Sequence, residues 1–289
     1  QPISYKMIIF KKKIDISNYI VNYKKTSGKI GFIPTMGALH KGHISLIEAS
    51  KKTDTLTICS IFVNPTQFNN TADFEKYPVT IEKDIDMLEK AGCNVLFLPS
   101  VEEIYPADSS TTLPYELGFI ETVLDGKYRT GHFQGVCNVV QRLLDIVQPN
   151  TIYLGQKDYQ QCMVIKKLTE LIQSPTQIII CPTLRESDGL AMSSRNMRLT
   201  SVERIKAVKI SEVLLFIKQE IKPGNLQDLK QRCINYLTNE GYNVDYVEIA
   251  DATNLTLLQN WDGKTKLVAL VAAFLNEVRL IDNRIVNED

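Results

Sequence analysis

Between residues 30 and 183 the chain alternates short β-branched apolar runs with amphipathic runs, and each short run ends at glycine or proline. IGFIPTM (30–36) stops at Gly37, TLTICSIFV (55–63) at Asn64-Pro65, NVLFLP (94–99) at its own proline, TIYLG (151–155) at Gly155 and QIIICPT (177–183) at Pro182. Runs of this length and composition read as buried strands. The segments between them, 43–52, 81–92, 135–149 and 158–172, carry apolar residues at helical spacing. Strand–helix alternation restricts the chain to an α/β fold, a Rossmann-like, mostly parallel sheet covered by helices. Ligands of such sheets bind beyond the carboxyl ends of the strands. The polar residues at 36–43, 64–70, 155–158 and 183–195 all follow strands, so they should gather on one rim.

After Arg195 the texture changes. One long helix is expected over 201–221, a second over 226–241 after Pro223-Gly224, then strands in VDYVEIAD, TKLVALVAAF and VRLIDNRIV. The expectation is a Rossmann-like domain over 7–184 and a smaller α+β domain over 185–289. Residues 1–6, QPISYK, read as a remnant ahead of a native start at Met7.

Lysine plus arginine equals aspartate plus glutamate at 33 each among 289 residues. A neutral chain has no broad electrostatic reason to coat nucleic acid or an anionic membrane. Its longest apolar run, near 267–275, is too short to span a bilayer. Six cysteines with no paired spacing fit a reducing, cytoplasmic setting.

Histidine is the rarest clue. Of three in the chain, two stand three residues apart in PTMGALHKGHISLI (34–47), at the start of a helix. First-turn backbone N–H groups and the helix dipole suit a phosphate there, and two imidazoles one turn apart can reach neighbouring phosphate oxygens. A zinc site needs three or four ligands, and the only other histidine is His132. Phosphate contact therefore ranks ahead of metal ligation, and metal ligation ahead of packing. Gln67 in FVNPTQFNN can hydrogen-bond a small polar ligand, although a plain Asn-Pro turn is the simpler reading. Arg129 and His132 in YRTGHFQGV precede a helix, where a lone histidine is more often structural. Lys157 and Asp158 in LGQKDYQQ stand at a helix start, with Gln161 one turn later. RESDGLAMSSRN offers two hydroxyls and a fixed cation, Ser193, Ser194 and Arg195, which suit a polyphosphate; the simpler reading is a capped, solvated loop.

The H-x-G-H turn resembles the HIGH motif of the nucleotidyltransferase superfamily. PTMGALHKGH, FVNPTQF, GHFQGV, LGQKDYQQ and DGLAMSSRN, in that order, resemble the pantothenate synthetase (pantoate–β-alanine ligase) family over the chain from Met7 onward. That family condenses pantoate with β-alanine using ATP, through pantoyl adenylate, and releases AMP and pyrophosphate. The resemblance implies an ATP segment of Met36, Gly37, Ala38, Leu39, His40, Lys41, Gly42 and His43, with His40 and His43 at the phosphates and His43 as proton donor. It implies Gly155, Gln156, Lys157 and Asp158 along the nucleotide, completed by Leu184, Met192, Ser193, Ser194 and Arg195. His40, His43, Lys157, Ser193, Ser194 and Arg195 are then the catalytic candidates, and Gln67 and Gln161 the pantoate and β-alanine ligands. It further implies Mg2+, a homodimer and a C-terminal lid. Asp84 is the candidate carboxylate near the metal, against the simpler reading of an exposed helix carboxylate. Thr130 stands where the family usually has proline, and Gln134 where aspartate is common. A tRNA synthetase-like ligase should instead carry a KMSKS-like loop and a basic domain, and a non-catalytic nucleotide-binding module would not need all of these groups together.

Overall fold

The computed structural model describes residues 6–68, 74–107 and 114–287. The chain forms two compact units, Gln1–Gly155 with Val164–Pro182, and Gln156–Met163 with Thr183–Asp289.

In the first unit six strands pair in parallel: β1 (Ile8–Phe10), β2 (Ile30–Thr35), β3 (Leu56–Ile61), β4 (Val95–Phe97), β5 (Thr151–Gly155) and β6 (Gln177–Cys181), in the order β1-β4-β3-β2-β5-β6. β2 and β3 are buried along nearly their whole length, which is why they read as continuous apolar runs rather than alternating ones. Helices α1 (Lys13–Lys24), α2 (Lys41–Thr53), α3 (Ile81–Ala91), α4 (His132–Val147) and α5 (Tyr159–Leu171) connect or follow the strands. One core packs Ile33, Ile47, Cys59, Leu88, Leu96 and Tyr153 together.

Strand order decides where the site lies. From β2 the chain builds outward through β3 and β4, then returns to place β5 on the other side of β2. The order reverses between β2 and β5, and the crevice beyond their carboxyl ends is where such sheets take ligands. Thr35 and Gly155 end these two strands.

In the second unit β8 (Asn243–Asp251), β10 (Leu267–Leu275) and β11 (Val278–Ile285) form an antiparallel sheet ordered β11-β10-β8, beside a ribbon of β7 (Gly224–Asn225) and β9 (Asn260–Trp261). Helices α6 (Lys209–Glu220) and α7 (Gln227–Asn239) supply Ile210, Leu214, Ile217, Leu229, Cys233 and Leu237 to a core shared with Leu267, Ala269, Val271, Val278 and Leu280.

One expectation is corrected, and two elements went unread. The helix expected over 201–221 is two pieces, Ser201–Lys206 and α6, separated by a turn at Ala207 and Val208. No glycine or proline marks the break; both residues keep helical angles and Ala207 is fully buried. Strand β1 and helix α1 were not visible in the sequence. β1 has only three residues, two of them exposed, and α1 buries only Ile16 and Ile20, so neither shows a long periodic pattern. Among the described residues no helix is long and apolar enough to cross a membrane.

Candidate active site

The turn after β2 is the most constrained segment of the first unit. Thr35 Oγ1 accepts from the Gly37 N–H at 3.2 Å and donates to the Ser60 carbonyl at 2.7 Å. Gly37 has φ +80°, and a Cβ there would lie 3.1 Å from Asp84 Oδ2 and from Ile61. Ala38 follows at φ +48°, a conformation that costs an L-residue about 1–2 kcal/mol. That cost is met by Asp84. Its carboxylate accepts from Ala38 N–H at 2.9 Å and Leu39 N–H at 2.8 Å, and from Thr80 Oγ1 at 3.0 Å. Charge-assisted bonds of this kind contribute about 1.5–3 kcal/mol each, enough to hold the strained turn.

Asp84 is fully buried on α3. It is not an exposed helix carboxylate: both of its oxygens accept hydrogen bonds, from this turn and from Thr80. Glycine 37 supplies the conformation, and a carboxylate from a distant helix fixes it.

The two imidazoles follow directly. His40 is the N-cap of α2. Its Nδ1 accepts from Gly42 N–H at 3.1 Å, while His43 Nδ1 accepts from His40 N–H at 3.3 Å. The rings lie 4.1 Å apart, centroid to centroid, tilted by 43°. His43 N–H and Ile44 N–H both donate to the His40 carbonyl. The expectation of bare first-turn amides is therefore corrected: the His40 and Gly42 amides are spent on the two imidazoles and the His43 amide on the His40 carbonyl. An accepting Nδ1 places the proton of a neutral imidazole on Nε2. Both rings thereby become N–H donors at the positive end of a helix. Met36, Lys41 and Gly42 belong to the same turn; Lys41 is exposed, and Met36 and Gly42 half-buried.

Gln67 joins this turn. It closes the 3-10 turn Pro65–Gln67 and is buried. Its Nε2 lies 3.0 Å from Met36 Sδ, and its Oε1 accepts from Asn64 Nδ2 at 3.1 Å. Asn64 Nδ2 also donates to the Gly135 carbonyl, and Asn64 Oδ1 accepts from Tyr105 at 2.9 Å. His132 lies 2.8 Å from the Gln67 carbonyl through Nδ1 and 3.0 Å from Arg129 through Nε2. Arginine only donates, so Nε2 accepts and Nδ1–H donates to the carbonyl. His132 thus holds backbone, as the simpler reading of the sequence had it. Helix α4 can approach this closely only at glycine, since a Cβ on Gly135 would meet the Thr66 carbonyl at 2.3 Å. Gln134 donates to the Tyr115 carbonyl and to Glu121, and accepts from the Tyr115 N–H. An aspartate could do neither donation, which gives this departure a local reason. Asn69 and Asn70 lie outside the described residues. Asn64 was legible as a strand stop but not as the anchor of Gln67.

The second unit carries the other candidates apart from Gly155, which ends β5 in the first. Gln156–Asp158 is a 3-10 turn leading into α5. Lys157 Nζ lies 3.5 Å from Asp158 Oδ1. Gln161 is half-buried on the first turn of α5. Leu184 accepts through its carbonyl from Met192 N–H at 3.0 Å, and Glu186 N–H donates to the Leu190 carbonyl, closing a hairpin. The chain then enters the turn Ser194–Arg198, where Ser193 Oγ caps by accepting from Arg195 N–H at 3.2 Å. Ser194 is buried, while Ser193 and Arg195 are half-buried. The loop is therefore capped, as the simpler reading held, with the cap formed by one of its own hydroxyls. Unit by unit, the structure brings 36–43, Gln67 and Asp84 together in the first, and 156–158 and 184–195 on one scaffold in the second.

Comparison with known proteins bears on all of these segments. The family model described as pantoate-beta-alanine ligase matches residues 8–285. A Cytophaga hutchinsonii protein named pantothenate synthetase is 42% identical over 93% of this chain and 95% of that protein. A Porphyromonas gingivalis protein of the same name is 41% identical over 96% of this chain and 98% of its own length. Among solved structures, pantothenate synthetase from Thermus thermophilus superposes with a TM-score of 0.89 at 34% identity, covering 98% of this chain and 100% of that one. The Francisella tularensis pantoate-beta-alanine ligase, described as complexed with beta-gamma ATP and beta-alanine, gives 0.82 at 40% identity, covering 98% of this chain and 99% of that one. Fold, motif order and full-length similarity agree, and the chain is a member of the pantoate-beta-alanine ligase family.

Proposed function

We propose that this chain condenses pantoate with β-alanine at the expense of ATP, through pantoyl adenylate. A carboxylate is a poor acyl donor, because an amine cannot expel oxide in water. Adenylation divides the task. A pantoate carboxylate oxygen bonds to the α-phosphorus as the bond to the β-phosphate oxygen breaks, and pyrophosphate leaves with the electron pair. The β-alanine amine then bonds to the acyl carbon, AMP leaves, and the amine proton passes to water.

The observation that carries this reading is the imidazole cap, two Nε2–H donors fixed on the dipole end of α2 beyond the switch point of the sheet. His40 and His43 are assigned to phosphate oxygens, with His43 supplying a proton. Electrostatic stabilisation by preorganised donors is often the largest single catalytic contribution. Lys157, Ser193, Ser194 and Arg195 are assigned to the departing pyrophosphate, with Gly155, Gln156, Asp158, Leu184 and Met192 along the nucleotide. Gln67 and Gln161 are assigned to pantoate. The second unit is assigned the role of a lid, since an acyl adenylate must be kept from water.

Among the described residues no group of three or more His, Cys, Asp or Glu side chains gathers to hold a cation, and the Asp84 carboxylate is committed to backbone. These residues do not fit a resident metal. Magnesium is assigned to the substrate, arriving as the ATP complex on phosphate oxygens and water, its usual habit. The family resemblance supports a homodimer, which sedimentation would test. Six buried thiols support a reducing, cytoplasmic setting.

Pyrophosphate release from ATP with pantoate, followed by AMP release on adding β-alanine, tests the assignment. Pyrophosphate should require pantoate, and free AMP in quantity should require both. Turnover with an unrelated acid in place of pantoate, or no turnover, overturns it.

A further inference from the structure

The last strand breaks its own pattern. Val278 and Leu280 belong to the core of the second unit, so the next residue on that face, Asp282, stands where an apolar side chain is expected. Asp282 is 4% exposed and its neighbour Asn283 2%. A buried carboxylate is tolerated only when paired and hydrogen-bonded, and Asp282 is both. Arg185 donates to it twice, at 2.6 and 3.0 Å, and the Asn283 N–H donates to Oδ1 at 2.7 Å. The same guanidinium donates to the Gly189 carbonyl at 3.0 Å and the Asn283 carbonyl at 3.2 Å.

Asn283 is equally committed. Its Nδ2 donates to the carbonyls of Gln156 at 2.9 Å and Lys157 at 2.8 Å, and its Oδ1 accepts from Gln156 Nε2 at 3.3 Å. Two consecutive carbonyls converge on one amide, which fixes the direction of the 3-10 turn that presents Lys157. Asp282, through Arg185, holds the hairpin that delivers Met192 and Ser193; Arg185 pairs with Ala191 across it.

We infer that Asp282 and Asn283 form a positioning node that sets the geometry of the Lys157 turn and the Ser193–Arg195 loop, and so governs affinity for the ATP polyphosphate rather than for pantoate. Neither residue is placed on a substrate; they act through the residues they hold. The inference rests on the nucleotide role proposed above for those two segments. Asp282 gives up apolar packing on the core face of its strand, and sites that break a local rule in this manner are commonly functional.

The full-length protein tests this through three variants. Asn283→Ala removes all three bonds. Asn283→Asp keeps the shape and the acceptor for Gln156 but sets a carboxylate against two carbonyl oxygens. Arg279→Ala, on the same strand as Asn283, breaks an ion pair with Asp245 of β8 and serves as the stability control. KM values for ATP and pantoate come from pyrophosphate release, and MgATP binding from calorimetry. Both Asn283 variants should raise the KM and the Kd for ATP by about ten-fold or more, while the KM for pantoate stays within about two-fold. Arg279→Ala should leave both within about two-fold. Equal rises for ATP and pantoate, an unchanged ATP affinity in both Asn283 variants, or a matching loss in Arg279→Ala overturns the node. A wild-type protein without pantoate-dependent pyrophosphate release overturns the proposed reaction instead; calorimetry with MgATP still decides the node.

Discussion

The two groups of candidate residues are held in place by opposite means. In the first unit the imidazole cap is made within four residues of chain, and Asp84, forty-five positions from Leu39, supports the turn before it. In the second unit the Lys157 turn is hydrogen-bonded to a strand 126 positions away, and the Arg185 hairpin to the same strand 97 positions away. The first arrangement is local geometry secured by one buried charge. The second exists only once the C-terminal sheet has formed. A locally closed turn keeps its shape when the rest of the unit loosens, whereas a remotely held one does not.

That contrast can be broken most severely at the chemistry itself. His43→Ala and Lys157→Ala should each lower pantoate-dependent pyrophosphate release by orders of magnitude, with circular dichroism and Tm near those of the parent. Removing one preorganised donor commonly costs about 10²–10³ in rate. Near-normal turnover in either variant removes that residue from the machinery.

Asp84→Asn probes the distant support of the local turn. An amide Nδ2 would replace one of two acceptors and face the N–H of Ala38 or Leu39. The loss should be about 2–3 kcal/mol in denaturant unfolding, with a fall in adenylation, because Ala38 then pays for φ +48° with less compensation. Unchanged stability would show that the turn holds itself without the carboxylate, and the contrast between the units would widen.

The smallest effect concerns the thiols, which report on the two cores separately. Burial pushes Cys93 in the first core to about 12 and Cys233 in the second to about 11. The native protein should resist alkylation at pH 8, and all six cysteines should react after unfolding. Because the fold disfavours the thiolate, their contribution to stability is complete below the unfolded value near 9 and is lost as pH rises toward 12. Following Cys93 and Cys233 by mass spectrometry through a denaturant series shows which unit opens first.

Much of this was legible in the order of residues. Strand runs closed by glycine or proline, and helices with an apolar stripe, are local signals, so the α/β class and β2, β3, β4, β5 and β6 could be read directly. The histidine pair was legible because both residues and the glycine between them share one turn. The amides beneath them were misread, since propensity rules leave first-turn N–H groups open and give no sign that an imidazole will close them. Asp84 was visible as a helix carboxylate, but its burial depends on how α3 packs. Asp282 gave a faint sign, a charge two residues on from Leu280 and so on the core face of its strand, and its partner Arg185 gave none.

By itself, then, the sequence determined the periodicities, the turns and the family of chemistry, since these depend on neighbours within about one helical turn or one strand. Only tertiary structure decided which polar groups support which loops. A hydrogen bond between residues 126 apart carries no periodic trace in the chain, and its strength comes from exclusion of water, which begins when the strands meet.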